Sequence, residues 1–253
     1  MKKRREYILH ELDVKGSVKV KELSEALGCS EVTIRSDIQK MEDDGLLRRT
    51  HGGAERLREN LVLQVSAGNI HVMGEEKRRI ARKAYELIRD RETIILDDSS
   101  VNFYLAEYIR QDSSKRVVVI TNSMVVGVIL CELEHVVLYL VGGQVNGKMC
   151  SAVGEITEES IRKFHADRAF VSAHGINFRA GMTSIGSPQM QVKKAMLSVA
   201  DEVDVLVDST KFNGGYIMVV CPLDQIDRII TDSGVSQEVI RMAEEKQVRL
   251  DVV

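Results

Sequence analysis

The sequence predicts an α/β domain with a mostly parallel sheet, preceded by a small domain of short helices. Two observations carry this expectation. From Glu75 onward, short runs of β-branched and apolar residues alternate with helical periodicity, the pattern of strands joined by crossover helices. Upstream, glycines separate short amphipathic helices, and no long apolar strand appears. The expected boundaries are 1–57 for the small domain, 58–74 for a linker of mixed character, and 75–253 for the larger domain.

In the small domain, Tyr7, Ile8 and Leu12 give a first helix its apolar face. Val20, Leu23, Ala26 and Leu27 recur at helical spacing in a second. Gly28 follows, where a left-handed residue ends a helix cheaply. Ser30 stands where a hydroxyl can accept from free backbone N–H groups and start a third helix. Within that helix Ile34, Ile38 and Met41 form an inward stripe. At about 100° per residue, Val32, Arg35, Ser36 and Gln39 lie opposite it, flanked by Thr33 and Lys40. Gly45 closes the helix, and Leu46-Leu47 leads through Arg48-Arg49-Thr50-His51-Gly52-Gly53, a short strand and a basic glycine turn. An exposed valine among hydrogen-bonding side chains suits a helix lying in the major groove of DNA. There an apolar atom meets a thymine methyl, and Arg or Gln pairs with purine edges. Arg48, Arg49 and His51 would lie against phosphates or in the minor groove. The layout is that of a winged helix-turn-helix. A plain helical bundle shares the turn but has no use for a basic wing.

In the larger domain, Ile80, Ala81, Ala84, Leu87 and Ile88 make a helix. Strands are expected at Thr93–Leu96, Val117–Ile120, Val136–Val141, Arg168–Ser172, Val203–Val207 and Ile229–Thr231, with a late helix over Ser236–Lys246. The strand ends are polar. Leu96 runs into Asp97-Asp98-Ser99-Ser100 and a helix over Val101–Ile109. Ile120 runs into Thr121-Asn122-Ser123, Val141 into Gly142-Gly143, and Val207 into Asp208-Ser209-Thr210-Lys211. Open α/β sheets bind ligands at the carboxyl ends of their strands. Hydroxyls beside the free N–H groups of a helix start suit a phosphate. Asp97 and Asp208 could accept from sugar hydroxyls, two glycines allow close backbone approach, and Lys193 or Lys211 could balance charge. Each piece has a plainer use as a helix cap, a turn or a solvated side chain. The expectation rests on the four polar ends being neighbours.

Composition bounds the rest. At 44% hydrophobic and 29% charged, the chain reads as a soluble globular protein. No uninterrupted apolar stretch approaches the roughly 18 residues of a membrane span. No apolar signal region follows Lys2-Lys3-Arg4-Arg5, so a cytoplasmic protein with no membrane partner is expected. That basic run is placed to open the first helix and touch backbone phosphates. Cys29, Cys131, Cys150 and Cys221 share no metal-type spacing, and the histidines are scattered. Reduced thiols, no metal and no cofactor are the expectation. Residues 1–58 hold 13 Lys/Arg against 11 Asp/Glu, a net of +2; the remainder holds 22 against 27, a net of −5, giving −3 in all. The asymmetry has the right sign for DNA and a modest size.

One ordered set of segments runs nearly end to end: Thr33-Ile34-Arg35-Ser36-Asp37-Ile38, Arg49-Thr50-His51-Gly52-Gly53-Ala54, Thr121-Asn122-Ser123, Gly142-Gly143, Ala169-Phe170-Val171, Lys193-Lys194-Ala195-Met196, Asp208-Ser209-Thr210-Lys211-Phe212 and Ile230-Thr231-Asp232. By these segments the sequence resembles the DeoR-type bacterial transcriptional regulators. The resemblance implies a winged helix followed by a domain similar to ribose-5-phosphate isomerases and CoA transferases. It further implies a phosphorylated sugar or related effector that relieves repression of a catabolic operon, and a homo-oligomer, dimer or tetramer. Two departures stand out. The family's Arg-Arg-Asp is Arg35-Ser36-Asp37 here, which should shift base preference or weaken a phosphate contact. Its sensor loop Asp-x-Gly-(Ser/Thr)-Thr-Thr is Asp97-Asp98-Ser99-Ser100-Val101-Asn102. Ser99 is expected to strain a loop that wants glycine, and Asp98 to disfavour a dianion. The reading is a repressor that binds a double-stranded DNA operator through Val32, Thr33, Arg35, Ser36, Gln39, Lys40, Arg48, Arg49 and His51. Its effector residues would be Asp97, Ser99, Ser100, Asn102, Thr121, Asn122, Gly142, Gly143, Lys193, Asp208 and Lys211, with no catalytic residue. The alternative is a sugar-phosphate isomerase-like enzyme carrying a DNA-binding domain. Asp97 or Asp208 would then be the base, and Lys211 would steady an enediolate.

Overall fold

A computed structural model of the chain describes residues 2–43, 46–55, 72–147, 149–212 and 214–253. The chain divides into two compact units, Met1–Gln64 and Val65–Val253. Gly45 and most of the expected linker 58–74 lie outside the described residues; at its end, a helix already begins at Gly74.

The first unit runs α1 (Lys2–Lys15), β1 (Ser17–Lys19), α2 (Val20–Leu27), α3 (Glu31–Asp43), β2 (Arg48–Thr50) and β3 (Gly53–Glu55). Gly28 closes α2 at φ 60°, ψ 34°, the left-handed conformation that a glycine takes without a Cβ clash. The Ser30 hydroxyl accepts from the Thr33 N–H at 3.3 Å and caps α3. Ile8, Leu12, Leu23, Ile34, Ile38, Met41 and Leu47 pack as one buried core. Burying such a side chain is worth about 1.5–3 kcal/mol. Ala26, expected to face inward, is exposed instead; Val20 and Leu23 carry that face of α2. The three strands pair antiparallel in the order β1-β3-β2. A Cβ at Gly53 would overlap the carbonyl oxygen of Val18, so only glycine lets β3 sit against β1. Asp37 is buried and accepts from Arg4 Nε at 2.8 Å, fastening α1 to α3. Arg4, half-buried, thus has a partner within the domain.

The second unit begins with α4 (Gly74–Leu87), β4 (Thr93–Leu96), α5 (Ser100–Gln111), β5 (Val117–Thr121), α6 (Met124–Leu130) and β6 (Val136–Leu140). Next come the hairpin β7 (Gln144–Asn146) and β8 (Ser151–Val153), then α7 (Glu155–Ile161), β9 (Ala166–Val171), β10 (Gly175–Asn177) and β11 (Gly181–Ser184). It ends with α8 (Ser187–Leu197), β12 (Ala200–Leu206), β13 (Met218–Cys221), β14 (Arg228–Thr231), α9 (Gln237–Glu245) and β15 (Leu250–Val252). Seven strands form one parallel sheet in the order β15-β14-β12-β9-β4-β5-β6. The chain builds outward from β4 to β6, then returns to β4's other side with β9. That reversal places the topological switch between β4 and β9, where open sheets leave a crevice.

Strand residues alternate between two apolar layers, as a period of two requires. Ile94, Leu96, Phe170, Leu206 and Ile230 pack with side chains of α4, α5 and α6. Ile95, Val171, Val205 and Ile229 pack with α7, α8 and α9. Toward the amino ends of the strands lies a row of charges of alternating sign: Glu92, Arg168, Asp204, Arg228 and Asp251. Glu92 directly precedes β4, and the others step across β9, β12, β14 and β15. Arg168 and Asp204 are both almost fully buried. Among the described residues no helix is long and apolar enough to cross a membrane.

Candidate DNA-reading face and ligand cavity

The exposed face of α3 is as the periodicity predicts. Val32 is 76% exposed, and Arg35, Ser36 and Lys40 are exposed beside it. Arg35 pairs with Glu31 one turn back at 3.0 Å. An exposed pair of that kind is worth little, so it can be exchanged for a base edge. Thr33 is half-buried, with its hydroxyl 2.9 Å from that of Ser30. Gln39 bridges helix and wing: it accepts from Arg49 Nη1 at 2.6 Å and donates to Asp43 at 3.0 Å. The Arg49 N–H also donates to Glu42, at 2.9 Å. Arg48 pairs with Glu55 directly across the β2–β3 ladder. His51 lies exposed in the turn that joins those strands. The wing is therefore docked to the end of α3 by named bonds.

At the carboxyl ends of β4, β5, β9 and β12 lies a cavity of about 420 Å³, within the usual range for small-ligand sites. Three lysines line it from three elements: Lys77 on α4, Lys193 on α8 and Lys211 after β12. Ser99, Ser100, Ser123, Ser172, Thr210 and Gln189 supply neutral polar groups; Val101, Phe103, Val125, Val126 and Met149 supply an apolar wall. Ser99 caps α5 and Ser123 caps α6, each accepting at 3.3 Å from an N–H three residues on. The plainer use of the two serines after β4 thus holds for Ser99. Its backbone, at φ −75°, ψ 154°, is ordinary extended chain, so the expected strain does not arise. A serine can cap here because the loop never needs a left-handed residue at that position.

Asp97 stands behind the cavity wall, fully buried, where it accepts four bonds. Its donors are the Lys193 ammonium, the N–H groups of Ser99 at 3.0 Å and Ser172 at 2.8 Å, and Asn102 Nδ2 at 2.8 Å. Burial alone pushes the Asp97 carboxyl up. The charge and hydrogen bond of Lys193, with the two N–H groups, outweigh it and hold the carboxyl below its ordinary range. Asn102 donates on to the Phe170 carbonyl at 2.7 Å. One carboxylate thereby ties β4, α5, β9 and α8 together at the switch point. Asp98 faces the cavity, accepts from Ser151 Oγ at 2.6 Å, and is pushed up by burial. Burial also lowers His174, with Lys193 and Lys211 acting in the same direction.

Of the expected effector residues, Ser99, Ser100, Lys193, Asp208 and Lys211 line the cavity. Asp97, Asn102, Thr121, Asn122, Gly142 and Gly143 do not. Thr121 donates to the Leu96 carbonyl at 2.7 Å and Asn122 to that of Ala152 at 2.9 Å, both buried. Gly142 and Gly143 pass close over α7, where a Cβ on Gly143 would overlap the Thr157 hydroxyl. The close approach that Gly143 allows is to the protein itself, while a Cβ on Gly142 would meet open space. Asp208 accepts from Thr210 N at 3.1 Å and from its hydroxyl. Sequence reasoning missed Lys77, His174 and Gln189: His174 lies two residues past the expected strand Arg168–Ser172, whose end carries no polar run, and the other two lie on helices. A larger groove, about 690 Å³, lies where Lys194 meets Asp201, Asp224 and Asp227. Its lining offers one lysine against three carboxylates and no convergence of cations.

A small winged helix-turn-helix and a parallel sheet domain with a cationic cavity at its switch point define a class, the DNA-reading head carried on a ligand-binding domain. The chain belongs to the DeoR family: residues 4–60 match the DeoR-like helix-turn-helix domain, and 73–233 match the DeoR C terminal sensor domain. It is 31% identical to the putative aga operon transcriptional repressor of Escherichia coli O157:H7, over 92% of this chain and 86% of that one. It is 32% identical to the lactose phosphotransferase system repressor of Lactococcus lactis subsp. lactis, over 94% and 93%. Among solved structures, ribose 5-phosphate isomerase A from Methanocaldococcus jannaschii aligns at 20% identity over 55% of each chain, with a TM-score of 0.40.

Proposed function

We propose that this protein is a cytoplasmic repressor of a sugar-catabolic operon. It binds an operator in double-stranded DNA through α3 and the wing. A phosphorylated sugar, or a related anionic metabolite, releases it by occupying the cavity between β4 and β9. The observation that carries the ligand class is the convergence of Lys77, Lys193 and Lys211 on one cavity, three cations against the carboxylates of Asp98 and Asp208, beside hydroxyls and an apolar wall. A phosphate needs cations in reach, and a sugar ring needs hydroxyl partners beside an apolar face. The relatives named as repressors of the aga operon and of the lactose phosphotransferase system support a sugar operon as the target.

The isomerase-like alternative has less support. A general base must reach its proton, whereas Asp97 is fully buried with four donors on its oxygens. Asp208 is committed to Thr210. A homo-oligomer fits the reading, because two heads are needed for two half-sites about one DNA turn apart. The uncharged edge of the sheet at β6 is the surface that suits a second copy.

The test is electrophoretic retardation of DNA from the protein's own control region, titrated with sugar phosphates, alongside thermal shift of the full chain. Expected is a retarded complex at low salt, dissolved by at least one sugar phosphate that also raises the melting temperature. A complex insensitive to the whole panel, with no thermal shift, would overturn the ligand; no complex with any duplex would overturn the repressor.

A further inference from the structure

The cavity carries two carboxylates beside its lysines, and they stand at different ends of it. Asp208 follows β12 and Asp98 follows β4, with β9 between those strands in the sheet. Neighbouring strands lie about 4.8 Å apart, so two spacings, roughly 10 Å, separate the two ends. At the β12 end Asp208 accepts from the N–H and the hydroxyl of Thr210, and both Asp208 and Lys211 act by charge on Lys77. The β4 end is different. Asp98, half-buried, accepts from the fully buried Ser151 hydroxyl at 2.6 Å. The wall that follows β5 is neutral: Ser123, Val125 and Val126, with Met149 before β8. Lys193 acts on Asp98 by charge but donates to Asp97. Burial, with Asp97 beside it, pushes the Asp98 carboxyl up against the pull of Lys193 and Ser151. A carboxylate has about four acceptor positions, and one hydroxyl leaves its charge under-compensated. A cation brought into the cavity at this end gains from it.

We propose that Asp98 determines the specificity of the cavity and that the ligand is an amino-sugar phosphate, whose ammonium group bonds the Asp98 carboxylate. The inference rests on the cavity taking a phosphorylated sugar, as proposed above, and narrows its class. With the phosphate toward the β12 end and the ammonium toward the β4 end, each charge of the ligand meets its opposite. The reverse orientation sets a dianion against a carboxylate. A plain sugar phosphate brings only a hydroxyl to Asp98, a partner that a serine would serve as well. An ammonium makes a charge-assisted bond, roughly twice as strong as a neutral one. An N-acetylated sugar brings a bulkier, uncharged amide and forfeits that gain. Ser151 is a positioning residue: anchored in β8 without solvent contact, it fixes the direction of the carboxylate.

Calorimetry on the full chain reads Kd for glucosamine 6-phosphate and galactosamine 6-phosphate. Each is set against its hydroxyl counterpart, glucose 6-phosphate or galactose 6-phosphate, and against its N-acetylated form. In the parent, the amine of at least one series is expected to bind tighter than both counterparts by about tenfold or more. Asp98→Asn is close in shape and keeps an acceptor for Ser151. It is expected to bring amine and hydroxyl sugar within about threefold of each other, by weakening the amine while the hydroxyl sugar binds as before or tighter. Asp98→Ala is expected to do the same, so either variant decides the matter if thermal unfolding shows the other to be unfolded. An amine preference retained in a folded variant overturns the role of Asp98. Equal binding within each series in the parent, or tighter binding of the hydroxyl or acetylated sugar, overturns the inference and leaves the sugar-phosphate reading standing. So does a parent that binds none of the six while another sugar phosphate dissolves its operator complex. A parent that answers no sugar phosphate in either assay overturns both.

Discussion

Lys193 reaches Asp97 where the carboxylate has no contact with solvent, and backbone N–H groups from two strand ends complete its shell. Removing one partner of such a pair leaves an uncompensated buried charge, which costs about 3–5 kcal/mol. Asp97→Asn is therefore expected to lower the unfolding free energy by about that amount, read by urea titration at neutral pH. Parental stability would refute the account. The pH dependence has a definite sign. The folded carboxyl titrates below its ordinary 3.8, so its contribution is complete above that value and fades as pH falls through the folded pKa. Asp97→Asn should flatten the acid limb of the stability curve. The sequence makes the chemical types at these strand ends legible but not the direction in which each side chain points. Asp97, Thr121 and Asn122 carry the polarity of a ligand site and spend it inside the protein. Lys77, from a helix start with no motif, is brought in by the packing of α4 alone.

At the scale of elements, the wing depends on one missing methyl group. Gly53 pairs with Lys19 across β1 and with Thr50 across β2, and a Cβ would strike the Val18 carbonyl. Gly53→Ala should displace β3 and loosen Arg49 from Gln39, destabilising the first unit by about 1–3 kcal/mol and weakening operator binding. Thermal unfolding of the full chain and retardation assays check this. An unchanged melting curve with parental retardation would refute it. Elements with strong periodicity were legible: β4 spans Thr93–Leu96 as its apolar run predicts, and Ile34, Ile38 and Met41 are buried along α3. The short antiparallel pieces were not. β1, the β7–β8 hairpin and the β10-β11-β13 sheet are three- and four-residue strands of mixed polarity. Their alternation is too brief to separate from loop, and only tertiary pairing selects it. The terminal strand Leu250–Val252 escaped for the same reason.

For the whole molecule, the two edges of the large sheet differ in kind. β15 brings Asp251 and its partners Arg228 and Arg249 to one edge. At the other edge β6, from Val136 to Leu140, has no charged residue, and Val137, Tyr139 and Leu140 are largely exposed. Natural sheets guard free edges with charge or proline; an unguarded edge facing its own copy across a two-fold axis meets no like-charge repulsion. Val137→Lys with Tyr139→Lys is expected to shift the protein to a smaller species in sedimentation velocity without unfolding it. An unchanged sedimentation coefficient would move the interface elsewhere. The opposite, amino-terminal side of the sheet carries a different consequence. Because Arg168 and Asp204 share a face with Phe170 and Leu206, sliding either strand by one residue would drive a guanidinium or a carboxylate into the aliphatic layer beneath α8. The charged row acts as a key that admits a single alignment, so a mispaired sheet is penalised by solvation before any side-chain packing can reward it.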